Sequence, residues 1–382
     1  MLQSNYLDPD APNYQLYPRG ALLFNTRRSG FNVKQFESTA FASANIVPTV
    51  ISTWISHSGE NGATGVPFFG FKAQRNTVVK AMKAAVESST ALREEQLLFT
   101  LMAAPGYPEL IQDLVTLNDD RLQTAFIIGD SPLDLDSSSQ SLSTWSSNQR
   151  LALDNGEDGL VSHDDYLAVY YPSGYTTDLA GNYIVVPPSH MALRTYIRSD
   201  NVSYPWFAPA GVNRGTVDNA TSIGFVDRNN NNTFTSIGVT NSLRDILYAN
   251  SVNPITVLSG TGIVVYGQKT RDPISESLNR VNVARLVCYL RTVLNRAALP
   301  YIFEPNDTIT RKQVTQVFTQ IMNSLITTRG ITDYSVVCDT SNNTAATIQQ
   351  NELWIDIAIV PMYAIEFVYI PVRLVNPGSL SS

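Results

Sequence analysis

Apolar positions along this chain change their spacing several times, and each change predicts an element. Over 76–87, Val78, Val79, Met82 and Val86 recur at helical spacing. Leu97 to Met102 is a continuous apolar run, the pattern of a strand covered on both faces. Tyr107 to Asn118 predicts a helix with Pro108 in its first turn, where a missing amide hydrogen costs nothing. Ala125 to Ile128 and Tyr166 to Tyr171 predict two more strands, and Pro187-Pro188-Ser189 leads into a helix carrying Met191, Ala192, Tyr196 and Ile197. Alternating helices and strands imply crossover connections and a mostly parallel sheet. Asp130 to Ser147, rich in Ser and Asp, is expected to be an exposed loop.

The first seventy residues read as loops and short strands, with Ala21 to Thr26 one such strand. A polar turn at Asp227 to Asn232 precedes a boundary near residue 239. Beyond it the spacing predicts helices over Asn241 to Asn250 and Leu278 to Leu299, the latter stopped by Pro300. A further helix over Thr310 to Thr327 carries a stripe of Val314, Val317, Phe318, Ile321, Met322 and Leu325. Ile263 to Tyr266, Tyr334 to Cys338, Leu353 to Val360 and Ala364 to Val372 predict strands. The expected organisation is an α/β core over 1–239, an α+β domain over 240–363 and a terminal strand segment over 364–382. Pro361 and Pro371 suit edge strands. Apolar edges at a chain end pair either within their own domain as a hairpin or with a neighbouring chain.

Composition narrows the function classes. The chain has 382 residues, enough for two or three domains at roughly 150 residues each. A hydrophobic share of 43% builds a sizeable core, and a charged share of only 15% excludes a solvated disordered chain. The net charge of -7 argues against binding a nucleic-acid backbone, and no direct nucleic-acid partner is expected. No apolar run reaches the length of a membrane span, so no membrane insertion is expected. Met1 to Tyr6 has no signal-peptide character. Cys288 and Cys338 cannot make a disulfide scaffold.

The obvious catalytic constellations fail. There is no P-loop and no G-x-S-x-G elbow, and Gly260 and Gly262 begin a G-x-G-x-x-G that ends on Val265. His57, His163 and His190 form no paired motif. His163 before Asp164 and Asp165 could be half a triad, but no serine is identified as its nucleophile. Asp130, Asp134 and Asp136 and the Asp227 to Asn231 run lack an EF-hand's glycine and final glutamate, Asp154 to Gly159 is turn chemistry first, and all three read as solvated loops. No enzyme activity, metal or cofactor is expected.

Several segments stand in an order that carries a resemblance: Tyr204-Pro205-Trp206-Phe207-Ala208-Pro209-Ala210-Gly211, Leu247 to Ile255 with Asn253-Pro254, Gly262 to Thr270 with Gly267, Leu278 to Leu286 with Asn282 and Arg285, Phe303-Glu304-Pro305-Asn306-Asp307 before Thr310-Arg311, and Asn342-Asn343-Thr344. Spread over 191–375, they resemble the contractile tail sheath proteins of large contractile-tailed phages. The resemblance implies an α/β core that can be subtilisin-like in fold without a triad, and a C-terminal domain facing the tail tube. It implies stacked hexameric rings forming a helical sheath, whose partners are the chain itself, a tail tube protein, and baseplate and tail terminator proteins. The setting it implies is the virion tail, assembled in the host cytoplasm, with contraction driving DNA delivery.

By the same resemblance, Ile365, Phe367, Val368, Tyr369, Ile370 and Val372 would form a strand arm given to a neighbour. Arg311, Val314 and Phe318 would mark the helix toward the tube. Trp206, Pro209, Gly211, Asn253, Pro254, Gly267, Asn282, Arg285, Phe303, Glu304 and Asn306 would be structural positions of the family motifs. Family sheaths are considerably longer and open with an S-P-G-V-Y-V-x-E type segment that is not found at Met1. The chain is therefore expected to lack the usual N-terminal portion and to start mid-domain over residues 1 to about 35. Two alternatives remain: the sheath of a non-phage contractile injection system, and a hydrolase-like enzyme.

Overall fold

A run of apolar residues can be a strand only where both of its faces find cover. In the computed structural model, three such runs meet at the centre of one sheet. The structure describes residues 71–366 apart from Glu95, 148–163, Ala180, Asn182, 228–232, Pro273, Ser275 and Glu276. The order begins with helix α1 (Phe71–Ser88), strand β1 (Leu101–Ala103), helix α2 (Ile111–Asp120), strand β2 (Phe126–Asp130), helix α3 (Ser139–Ser146) and strand β3 (Leu167–Tyr171). Strands β4 (Ser173–Thr177) and β5 (Tyr183–Val186), helix α4 (Pro188–Val202), the short α5 (Gly211–Arg214), and strands β6 (Ser222–Asp227) and β7 (Thr233–Ser236) follow. The last part comprises α6 (Asn241–Ala249), β8 (Val252–Leu258), β9 (Gly262–Val265), α7 (Val281–Ala298), α8 (Thr308–Thr327), β10 (Ile331–Val337), α9 (Ala345–Gln349) and β11 (Asp356–Pro361).

The central sheet has the order β1-β2-β3-β8-β9. Its first four strands run parallel, with Ile127 opposite Leu167 and Val169 opposite Val252, and β9 returns antiparallel to β8. Alternate residues point to opposite faces. Phe126, Ile128, Ala168 and Tyr170 share one core with Met191, Ala192 and Tyr196 of α4 and with Val281, Ala284 and Cys288 of α7. Ile127, Leu167, Val169 and Tyr171 share the other with Ile111 and Leu114 of α2 and with Leu142 and Trp145 of α3. This is the mixed α/β sheet with flanking helices that the pattern predicts. Cys288 and Cys338 are both buried free thiols.

Three local expectations are corrected. The segment after Asp130 is not an exposed loop. Ser131, Pro132 and Leu135 are buried, and Ser138 caps α3 by accepting from the Ser141 amide. Leu142 and Trp145, three residues apart on one helical face, complete the core under β3. At β1 the strand is shorter than its apolar run: Leu97 and Leu98 are exposed, and Arg121 holds the preceding loop by donating to the carbonyls of Leu92, Glu94 and Leu97. On α4, Ile197 points to solvent.

A second, four-stranded antiparallel sheet has the order β5-β4-β6-β7. Tyr175 lies between two nearly parallel rings, Tyr183 at 5.3 Å and Phe234 at 4.5 Å. Phe234 reaches Tyr175 by passing over Gly224, where a Cβ would come within 2.8 Å of the ring. The third sheet is the antiparallel pair β10–β11. It packs on α8 through Val314 and Phe318 beneath Val336 and Ile357.

Candidate assembly surfaces

The motif residues gather where the α/β core meets the C-terminal helices. Asn253 sits on β8, fully buried. Its amide donates to the Val169 carbonyl at 3.3 Å and the Lys269 carbonyl at 2.7 Å, and its oxygen accepts from the Lys269 amide at 2.7 Å. One side chain thus ties β3, β8 and the segment after β9 together. Pro254 stands beside Tyr171 in the parallel register, and its carbonyl still accepts from the Tyr266 amide. Gly267 lies so close that a Cβ would come within 2.8 Å of Asn253 Oδ1 and 2.9 Å of Pro254 Cδ. The three motif positions form one close-packed crossing.

Trp206 is the pin between the two parts. It stacks on Tyr204 at 4.9 Å, meets Tyr289 of α7 edge-on at 5.1 Å, and donates from Nε1 to the Thr328 carbonyl at 3.0 Å. Gly330 lets it approach, since a Cβ there would be 3.2 Å from Trp206 Nε1. Pro209 is buried, and Gly211 takes a φ of 77° to enter α5. Arg285 and Asn282 lie on the buried side of α7. Arg285 pairs with Asp200 of α4, and Asn282 donates to the Met362 carbonyl at 3.2 Å.

The α7–α8 turn behaves differently. Asn306 donates to the Glu352 carbonyl at 2.8 Å, and Asp307 caps α8 by accepting from the Ile309 and Thr310 amides. Those caps hold Asp307 below its ordinary carboxyl range. Phe303 and Glu304, just before them, are exposed. Arg311, Val314 and Phe318 face inward and are buried, so they bind α8 to its own sheet, and its outer face carries Ile309, Lys312, Gln313 and Gln316.

From β11 a strap of five residues crosses back to the core. The Met362 amide donates to the Gly330 carbonyl at 3.1 Å. Ile365 projects outward, while Glu366 turns in to meet Arg280 at 2.6 Å and to accept from Gln268 at 3.1 Å. The Glu366 carboxylate also helps push the Tyr248 hydroxyl up, behind the larger effect of burial. Of the expected arm residues only Ile365 falls among the described ones. Phe367, Val368, Tyr369, Ile370 and Val372 lie outside them.

Among the described residues no group of three metal-ligating side chains occurs, and no helix is long and apolar enough to cross a membrane. Asp130, one of the acidic candidates, is fully engaged as an acceptor for the Gly106 and Ser189 amides. His190 meets only the Asn219 amide, and His57 and His163 lie outside the described residues. Sequence reasoning quoted Asn343 only as a motif letter. It is buried and ties the loop after β10 to Trp354, donating to its carbonyl at 2.9 Å and accepting from its amide at 2.8 Å.

Residues 275–374 match the phage tail sheath C-terminal domain. The tail sheath protein of Enterobacteria phage T4 is 34% identical over 171 residues, 45% of this chain and 24% of that protein. The tail sheath protein of Vibrio phage KVP40 is 31% identical over 170 residues, 44% of this chain and 24% of that protein. The matched stretch is thus 24% of the length of these curated relatives. In fold, the chain is similar to a component of the anti-feeding prophage baseplate, with a TM-score of 0.57 at 20% identity, covering 82% of this chain and 77% of the other. It is similar to the contracted helical sheath of the same particle, with a TM-score of 0.56 at 21% identity and 75% of each chain covered. Residues 275–374 thus match the phage tail sheath C-terminal domain, and about 170 residues of the chain are similar in sequence to tail sheath proteins of phages.

Proposed function

We propose that this chain is a structural subunit of a contractile phage tail sheath. It polymerises as stacked hexameric rings around a tail tube, joins a baseplate at one end and a tail terminator at the other, and contracts to drive the tube through a host envelope. It works in the virion tail after assembly in the host cytoplasm, and it has no catalytic role. The C-terminal part from α7 through β11 faces the tube, β8 and β9 belonging to the core sheet, and residues 364–382 form an arm given to a neighbouring copy.

The observation that carries this reading is the β10–β11 pair with its strap. A two-stranded sheet is marginal alone in water, and among the described residues each strand leaves one edge unpaired. An added strand from another copy would complete it through main-chain hydrogen bonds. The apolar segment that starts at Ile365 is of the right composition to be such a strand. Contraction then needs only two packings of rigid subunits joined by persistent strands. A non-phage injection particle is the other setting, named by the anti-feeding prophage relatives, but the higher identities are to phage proteins.

Negative-stain electron microscopy of the purified chain tests this. Hollow striated cylinders are expected, and deletion of 364–382 should give a folded, soluble protein that forms none. Normal cylinders from the deletion would refute the arm. Discrete particles from the intact chain, persisting after an upstream sheath segment is restored, would refute the sheath role.

A further inference from the structure

The most exposed large apolar side chain at the meeting of two long helices is Phe303, at 101% of its reference area. Its φ is 73°, a conformation that bulky side chains avoid. Such strain persists only where its surroundings enforce it, and it clusters at sites of recognition. Here the turn is fixed on both sides. Glu304 donates to the Tyr301 carbonyl, Asn306 is tied to Glu352, and Asp307 caps α8. Leu299, Ile302 and Ile309, on the same turn and its flanking helix ends, are also exposed. The result is a rigid apolar tip bearing two acidic residues, Glu304 and Asp307.

A groove of the opposite character lies between the core and the C-terminal domain. Its volume is about 760 Å³, within the range of roughly 300–1,000 Å³ of clefts that engulf a ligand group. Phe207, Tyr266 and Ile365 give it apolar walls. Arg214 lies over the Phe207 ring at 5.0 Å and Arg244 over the Tyr266 ring at 4.8 Å, and Arg329 adds a third cation. Among the described residues none of these three arginines is paired with a carboxylate. Deeper in, Gln268 and Asn282 are each at least 96% buried by area, at 4% and 3% exposure. Each has a side-chain oxygen with no hydrogen-bond partner. Asp245 and Glu366 also line it, Glu366 being held by Arg280 and Gln268, so the three arginines leave the rim net positive beside apolar cover and two unused acceptors.

We propose that the Phe303 tip of one copy docks in this groove of a second copy. The phenyl ring meets the aromatic walls, Glu304 meets the arginine rim, and backbone N–H groups of the incoming turn satisfy the Gln268 and Asn282 oxygens. Tip and groove are different patches of one molecule, so the contact is heterologous. Repeated, it closes into a ring or continues as a helix. The choice of a second copy rests on the self-assembling reading above and on this charge complementarity.

The test is thiol cross-linking in the full chain. Ile302→Cys, exposed beside Phe303 and leaving its ring in place, is mixed with Val212→Cys, an exposed groove residue, at a concentration below that of polymer formation. Both native thiols are buried and do not compete. Disulfide heterodimers should form about tenfold faster than between Lys80→Cys, exposed on α1 and part of neither the tip nor the groove lining, and Val212→Cys. Phe303→Gly should raise the melting temperature of the monomer, by relieving the left-handed strain, while removing the docking. Equal cross-linking rates for the two pairs overturn the proposal. Cross-linked pairs without cylinders would count against the sheath role alone, and cylinders without cross-linked pairs would count against this contact alone.

Discussion

Arg285 grips Asp200 with two guanidinium nitrogens, at 3.0 and 2.5 Å, across 85 residues of chain. The guanidinium also lies over the Tyr196 ring at 4.8 Å, and the Tyr196 hydroxyl shares a 2.7 Å hydrogen bond with that of Tyr170. These contacts tie β3, α4 and α7 together, joining the core to the first long helix of the C-terminal part. A planar fork with a stacking face suits the site, which explains arginine over lysine. Replacing Asp200 with Ala leaves Arg285, at 3% exposure, without its counter-charge. The expected cost is about 3 kcal/mol, read from the urea midpoint. Arg285→Lys, which keeps the charge and loses the fork, should cost less. A loss below about 1 kcal/mol for Asp200→Ala would show that the pair is not what joins these helices.

The Asn253 crossing gives a second prediction. Gly267→Ala places a methyl 2.8 Å from Asn253 Oδ1, in a crossing with no slack. Overpacking of this kind costs about 1–3 kcal/mol. Asn253→Ala strands the Lys269 amide and two carbonyls in the core, with a similar or larger loss. Since both act on the same contacts, the double variant should fall short of the sum. Full additivity in thermal melts would mean the two positions act separately.

Much of the central sheet was legible because Leu167 to Tyr171 and Phe126 to Ile128 are apolar on both faces, and only a strand between two helical layers accommodates that. The motif order pointed to Asn253, Gly267 and Arg285 as structural positions. It could not say why, because each acts on partners distant in sequence. The small antiparallel sheet was missed: its strands are rich in Thr and Ser, and its cover comes from rings passing over Gly224. The 130–147 segment was misread because its apolar contribution is sparse, coming chiefly from Leu135, Leu142 and Trp145. Phe303 stood out in the sequence only as a motif position, and its left-handed backbone and full exposure are what mark it in the structure.

Asp130 makes the stability of the core depend on pH. Burial raises its carboxyl from 3.8 to about 6, against the opposing pull of the Ser189 and Gly106 amides. Between those values the unfolded chain releases a proton that the folded chain keeps. The contribution is therefore fully present below about pH 4 and is lost as pH rises to 6, by about 3 kcal/mol. Asp164, raised to about 6 mainly by burial, acts in the same direction. Asp130→Asn cannot ionise. It gives up one of the two amide contacts, since one carboxylate oxygen becomes an NH₂ group facing an N–H donor. It should thus be the less stable protein at pH 4, and the gap should narrow or reverse by pH 7. Melting curves of both proteins across that interval decide the matter: parallel curves would mean that Asp130 titrates alike in the folded and unfolded chains, and that its burial leaves no mark on stability.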